Sequence, residues 1–238
     1  MKIMVAIPTE GATPAESYDN RLLLAFHLGK LEAKHPDKYE FYWGTVGRVL
    51  VPLARERLAE FAYANKIDKI LFIDDDMITD VDLFEKLNRN DVDVVAALAF
   101  TRTAPHNPVI YSVTEGYEPT TNREYFINKV VRNYPKNKLF ECDAVGFGAV
   151  LIKTKILEKM KKSWFMSTTG SGEDIYFCHK AKKEAGARIF VDTSVKIGHL
   201  GNHPIITEET YEKYNNNDEY RKVYGDFTKP PAVLSRSK

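Results

Sequence analysis

The apolar run Lys69-Ile70-Leu71-Phe72-Ile73 passes directly into three aspartates, Asp74, Asp75 and Asp76. A short apolar run of this kind reads as a buried strand. It therefore delivers three carboxylates at its C-terminal end. In open parallel sheets, ligands bind outside the carboxyl ends of the strands. Neighbouring carboxylates also repel and raise one another's pKa unless a cation offsets them. A divalent ion bridging to phosphate oxygens resolves that conflict, and oxygen ligands suit Mg²⁺ or Mn²⁺. The plainer reading is a turn in which Asp74 caps the loop and the other two are solvated. Placement at a strand end favours the ligand reading.

The pattern around this run alternates. Ile3–Ile7, closed by Pro8, Tyr39–Trp43, Lys69–Ile73 and Val92–Leu98 read as strands. Between them, Tyr18–Lys34 reads as a helix capped by Ser17, with Leu22, Phe26 and Leu28 on one side and Arg21, Lys30 and Glu32 elsewhere. Val49–Asn65, with Pro52 in its first turn, and Val81–Asn88 complete the helices of this half. Four strands separated by helices imply an α/β chain with a mostly parallel, doubly wound sheet. After Phe100 strands crowd together at Val109–Ser112, Tyr125–Arg132, Leu139–Val145 and Ala149–Ile152. Helices follow at Thr154–Lys162 and Glu173–Ala185, the latter stopped by Gly186. Short strands at Arg188–Val191 and Ser194–Ile197 precede a last helix capped by Thr207. This implies one domain over residues 1–206, with a nucleotide-binding half to about 100 and a mixed half beyond it. Residues 207–238 are expected to form a C-terminal helix and a mobile tail.

Composition narrows the function. With 34 Lys+Arg against 33 Asp+Glu, the chain lacks the bulk positive charge of a dedicated nucleic-acid binder. Its 2 cysteines, Cys142 and Cys178, form no CxxC and argue against a disulfide framework or zinc ribbon. The N-terminal apolar run is too short for a membrane span or signal core, and no later segment is long enough, so a cytoplasmic protein is expected.

Two further motifs carry chemistry. Glu173-Asp174 opens a helix after the loop Ser163–Gly172, where the helix dipole favours acidic residues in any case. Such loops also close over ligands. His199 stands after a strand between Gly198 and Gly201, sterically open, and neutral imidazole is a good ligand for Mn²⁺. His203 is its nearby competitor. Trp164 and Phe165 suit either the core or stacking on a sugar ring. Arg102 and His106 follow the fourth strand and could meet an acceptor or a diphosphate. The lysines of 153–162 and 180–183 read as solvated helix faces.

The ordered set resembles the metal-dependent glycosyltransferases of the GT-A fold, especially the family 2-like enzymes. It runs from Ile7-Pro8-Thr9 through Ala54-Arg55, Asp74 to Asp76, Asp143 to Gly148 and Glu173-Asp174 to His199. The resemblance implies a single GT-A-like domain with a Rossmann-like sheet and an acceptor-side half. It implies a glycosyltransferase of the hexosyltransferase type, using a UDP- or GDP-sugar donor and Mn²⁺ or Mg²⁺. Pro8, Thr9 and Glu10 would hold the nucleotide base, with Arg55 near the base or diphosphate. Asp74 would serve the ribose or the metal shell, Asp76 would bind metal directly and His199 would be the second ligand; Asp75 holds the variable middle position. Asp174, rather than Glu173, would be the acceptor-activating base of an inverting enzyme. Asp143 and the glycines after it would lie near the sugar. The acceptor stays open among a glycan, a protein, a lipid head group and a modified nucleobase.

Rival readings weaken on particular residues. A nucleotidyltransferase needs a Gly-rich phosphate loop after the first strand, whereas Pro8-Thr9-Glu10-Gly11-Ala12-Thr13 has one glycine and no Lys or Arg. A phosphohydrolase with an Asp nucleophile usually carries its Asp-x-Asp on the first strand. A retaining glycosyltransferase of the same fold and a non-catalytic nucleotide- or glycan-binding module are the alternatives; the module has no need of both Glu173-Asp174 and His199.

Overall fold

The computed structural model describes residues 1–11, 13–118, 123–168, 170–201 and 205–217. Its first half alternates as the apolar pattern requires: β1 Lys2–Thr9, α1 Ala15–Lys34, β2 Glu40–Gly47, α2 Val51–Ala64, β3 Lys69–Ile73, β4 Met77–Ile78, α3 Leu83–Asn88 and β5 Val94–Leu98. The second half begins with strands: β6 Ile110–Glu118, β7 Arg123–Val130, β8 Leu139–Cys142, β9 Ala144–Val145 and β10 Ala149–Lys153. A 3₁₀ turn over Thr154–Lys159, α4 Glu173–Ala185, β11 Ile189–Lys196, β12 Gly198–His199 and α5 Glu208–Asn216 follow. No helix among the described residues is long and apolar enough to cross a membrane.

The architecture is mixed α/β around a seven-stranded sheet in the order β2-β1-β3-β10-β5-β11-β8. Parallel pairing joins β2 to β1, β1 to β3 and β5 to β11. β10 runs antiparallel between β3 and β5, and β8 runs antiparallel against β11. Every strand but β10 and β8 therefore points the same way, which makes the sheet mostly parallel. Alternation along the strands fills two apolar layers. Met4, Ala6, Ile70 and Phe72 face Leu58, Ala59 and Ala62 of α2 and Phe177 and Ala181 of α4. Ile3, Val5, Leu71 and Ile73 face Leu24 and Leu28 of α1 and Leu83, Phe84 and Leu87 of α3.

Several elements depart from the sequence expectation. The first strand does not stop at Pro8, which is buried and pairs with Val46 of β2. β1 pairs with β3 only as far as Ala6, so Pro8 lies where one side of the strand carries no ladder and a missing N–H is tolerated. α1 buries only Leu28 of its expected apolar stripe. Leu22 and Phe26 are exposed, while Ser17 and Arg21 are buried beside Leu24 and Leu28. Ser17 is not the N-cap, since the helix starts at Ala15 and the Ser17 hydroxyl donates to the Met77 carbonyl. The expected helix after β10 is a 3₁₀ turn, and the two strands expected between Arg188 and Ile197 are one, with an irregular register between Asp192 and Lys196. Glycine at 198 is required by packing rather than openness: a Cβ there would meet Ile205 Cγ2 at 2.6 Å. His203 and residues 218–238, the expected tail, lie outside the described residues.

Trp164 and Phe165 belong to the core. Trp164 is buried, and its indole N–H donates to the Met160 carbonyl. Phe165 stacks on Phe177 with ring centroids 4.7 Å apart and meets Phe72 and Phe147 edge-on. Their backbone is pinned too, because both Ser163 and Phe165 N–H donate to the Glu56 carboxylate. Replacing Phe165 with alanine is expected to lower unfolding free energy by about 3–5 kcal/mol, as for other fully packed rings. Chemical denaturation checks this; a Phe165→Ala protein of unchanged stability would contradict the packing role.

Candidate active site

The C-terminal ends of β1 and β3 lie side by side, and both carry polar residues outward. The Thr9 hydroxyl donates to Asp75 Oδ2 and accepts from the Gly11 N–H at 3.0 Å. The acidic loop is held from below by the inward face of α1. Arg21 donates to the Asp74 carbonyl at 2.5 Å and to Ser17, while Asn20 exchanges hydrogen bonds with the backbone of Thr79. This is why polar residues occupy the buried side of that helix: the loop's backbone groups need partners there.

Asp76 and His199 form the next layer. β12 pairs with β4 so that His199 sits opposite Met77, next to the acidic loop. His199 Nδ1 lies 2.7 Å from the Phe100 carbonyl, which can only accept, so Nδ1 carries the hydrogen. Nε2 then faces Asp76 Oδ2 at 3.2 Å. In the neutral ring that nitrogen presents a lone pair to a carboxylate, an arrangement that a shared cation relieves. Arg102 approaches the same oxygen at 3.3 Å. Burial works against the Asp76 charge, but a hydrogen bond from His199 Nε2, with both ring nitrogens bearing hydrogen, and the nearby Arg102 hold its carboxyl below the usual range.

Asp74 turns the other way. Arg55 Nη2 donates to its Oδ1 at 2.7 Å, and Arg55 Nε donates to Glu173 Oε1 at 3.1 Å. Arg55 is buried at 2 % exposure, so it is not an open contact for a base or diphosphate. The expected metal set of Asp74, Asp76 and His199 accordingly does not close: among the described residues no three His, Cys, Asp or Glu side chains gather around a common point. The pull of Arg55 on Asp74 is the reason. Asp76 and His199 are left as a two-donor set. Its chemistry, one carboxylate oxygen and one imidazole nitrogen, fits Mn²⁺ or Mg²⁺ completed by phosphate and water.

Asp174 sits in the first turn of α4 with Oδ1 accepting from the Ile175 N–H at 2.7 Å. A Cβ at position 172 would reach this oxygen at 2.7 Å, so glycine there leaves the carboxylate room. Burial, with Glu173 beside it, pushes the Asp174 carboxyl up to about 6. Tyr111 on β6 lies within reach of that charge, and burial together with Asp174 pushes its phenol up to about 12. Neither Arg21 nor Tyr111 was legible as a site residue. Arg21 sits at an ordinary helix position, and Tyr111 on a strand whose only signal was apolar alternation.

Two hollows adjoin these groups. One of about 1250 Å³ opens at Asp76 and Arg102 and is closed opposite by Thr207, Thr210 and Lys213 at α5. Another, of about 650 Å³, lies between Glu10 and the segment from Arg48 to Pro52. Asp143 belongs to neither. Lys182 Nζ binds its Oδ1 at 2.5 Å, and the Val113 N–H binds its Oδ2. Lys182 stands eight residues beyond Asp174, about 12 Å along the helix, so Asp143 is a surface tie between β8 and α4.

No protein-family model and no curated protein sequence matches the chain. Among solved structures it is similar to A197 from STIV, with a TM-score of 0.56 and 22 % identity over 84 % of this chain and 86 % of that one. This likeness is one of fold. Looser superpositions include the catalytic domain of Drosophila beta1,4galactosyltransferase 7 in complex with xylobiose, at TM-score 0.43 and 15 % identity over 84 % of this chain and 71 % of that one. A glycosyltransferase involved in the glycosylation of the major capsid of PBCV-1 superposes at 0.31 with 13 % identity over 66 % and 62 %. Both are too loose to carry a correspondence between residues.

The raised Asp174 carboxyl has a consequence for stability. Its folded pKa, about 6, exceeds the ordinary 3.8, so the native state binds this proton more tightly than the unfolded state. Above pH 6 the ionised group therefore destabilises the fold, and the penalty fades as pH falls towards 4. Asp174→Asn is expected to raise stability by roughly 1–2 kcal/mol at pH 7.5 after allowance for partial solvent screening, and by almost nothing at pH 4. Denaturation midpoints at the two pH values check both sign and window; a less stable variant at pH 7.5 would contradict the assignment.

Proposed function

We propose that this chain transfers a sugar from a nucleotide-diphosphate sugar to an acceptor hydroxyl, with inversion at the anomeric carbon. The observation that carries this reading is the meeting of Asp76 and His199 beside the end of β3, together with a separate carboxylate, Asp174, whose pKa of about 6 suits a general base near neutral pH. The mostly parallel sheet supports it, because both groups gather at the carboxyl ends of its strands.

In this reading Glu10, next to Thr9, borders the hollow beside Arg48, which receives the base of a UDP- or GDP-sugar. Pro8 shapes that edge only from within the strand. Asp74, with Asp75 held by Thr9, faces the ribose. Asp76 and His199 hold Mn²⁺ or Mg²⁺, which when bound supplies Lewis-acid neutralisation of the departing diphosphate. Arg102 adds a positive charge on the same side. Asp174 takes the proton of the acceptor hydroxyl as its oxygen bonds to the anomeric carbon. The bond from that carbon to the phosphate oxygen breaks, and its electron pair leaves with the nucleoside diphosphate. Glu173 stays bound to Arg55 and is not the base. The acceptor is a hydroxyl on a glycan, a protein, a lipid head group or a modified nucleobase, brought within hydrogen-bond reach of Asp174.

Kinetics and product analysis test the base. Asp174→Asn is expected to lower turnover by roughly two to four powers of ten with donor affinity nearly unchanged, while Glu173→Gln does less. Normal turnover in Asp174→Asn, or a product of retained configuration, would overturn the inverting mechanism. Thermal shift tests the cation site. UDP- or GDP-sugar with Mn²⁺ is expected to raise the melting temperature of the native chain and not that of Asp76→Ala, with His199→Ala intermediate. A full shift in Asp76→Ala would remove Asp76 from the site.

A further inference from the structure

We propose that Arg55 is a positioning residue that joins the two halves of the site. Its one guanidinium holds the acidic loop at the end of β3 to the first turn of α4, and so fixes where Asp174 stands. Arg55 reaches residues distant in sequence, Asp74 at a separation of 19 and Glu173 at a separation of 118. Among the described residues no other hydrogen bond or ion pair connects residues 74–76 with the first turn of α4. The planar group is itself immobilised, lying 5.7 Å from the Phe72 ring and 5.2 Å from the Phe147 ring. Those two rings pack with Phe165 and Phe177, and Phe177 is part of α4. The aromatic cluster therefore fixes the arginine, and the arginine fixes the carboxylates.

Stability alone does not account for this arrangement. A buried ion cluster is commonly matched or bettered by apolar residues of the same volume, and the space between Phe72 and Phe147 would suit methionine. Arg55 Nη1 is buried without a hydrogen-bond partner among the described residues, a further cost that an apolar side chain would not carry. What an apolar residue cannot supply is a two-armed link. Lysine cannot supply it either, because a single ammonium lacks the fixed fork that serves two carboxylates at once.

The link is testable in the protein alone. Asp74→Asn perturbs one end, and amide exchange of Ile175, Tyr176 and Phe177 reads the other. Exchange there is expected to quicken at least about fivefold, while the amides of β5 stay unchanged. In an Arg55→Lys or Arg55→Met background the same Asp74→Asn change should add nothing, since the arm that carried it is gone. If Arg55→Met folds poorly, Arg55→Met combined with Asp74→Asn and Glu173→Gln removes all three charges and still reports whether α4 has lost protection. Unchanged exchange in Asp74→Asn, or an equal response without Arg55, would overturn the proposal. The role of the link in turnover rests on the glycosyl-transfer reading. There Arg55→Lys should lower kcat by roughly ten- to a hundredfold with donor KM within about twofold, the pattern of a displaced base. Because the exchange experiment needs no donor, a failed link and a failed transfer assignment give different results.

Discussion

The organising constraint is like-charge repulsion at one end of the sheet. Asp74, Asp75, Asp76, Glu173 and Asp174 meet there, and three guanidiniums, Arg21, Arg55 and Arg102, answer them. Two carboxylates about 4 Å apart repel by roughly 4 kcal/mol at an effective dielectric of 20. The surrounding fold answers with buried cations and backbone dipoles. Burial opposes the charge on Arg55, but Asp74, Glu173 and Asp174 more than restore it. Burial also raises Asp74, with Arg55 pulling it back. The excess of two negative charges that remains is what a divalent cation would neutralise.

This constraint explains features that would otherwise look like faults. α1 buries a serine and an arginine and exposes Leu22 and Phe26, because its inner face must satisfy the backbone of the acidic loop before it can fill the core. α2 buries Arg55 among Leu58 and Ala59 to meet two side-chain carboxylates, Asp74 and Glu173. The aromatic cluster under Arg55 then becomes necessary, since a desolvated guanidinium is most comfortable between ring faces.

Strand and helix identity was largely legible where periodicity and stop signals coincided. Gly186, at φ +64°, ends α4 where the sequence places it, and Thr207 caps α5. Asp74 to Asp76 were legible because an apolar run can deliver them only to a strand end. What was not legible depends on contacts distant in sequence. The Arg55–Glu173 pair spans 118 residues, and no local pattern marks it. Trp164 and Phe165 sit in a run of small polar residues, so their burial is not decided by their neighbours in sequence: Phe165 packs on Phe72, Phe147 and Phe177, and Trp164 meets Tyr63. The mixed inner face of α1, with Ser17 and Arg21 buried beside Leu24 and Leu28, misleads a hydrophobic-periodicity argument, because periodicity assumes that the buried side is apolar throughout.

The energetic character of Asp174 bears on the choice between catalyst and binding module. A module that merely holds a nucleotide or glycan gains nothing from a half-buried carboxylate beside Glu173; asparagine would donate and accept hydrogen bonds there without the charge penalty. Asp174 instead has its carboxyl pushed up to about 6 by burial and Glu173, and glycine at 172 leaves Oδ1 the room that a Cβ would take. In the proposed transfer reading that character is expected of a base, since activity and stability ask different things of the same site. Arg55 makes that compromise workable. It pairs with Glu173 and makes no hydrogen bond to Asp174, whose Oδ1 accepts from the Ile175 N–H instead, so in the proposed reading one carboxylate of the pair is tied down and the other is the base.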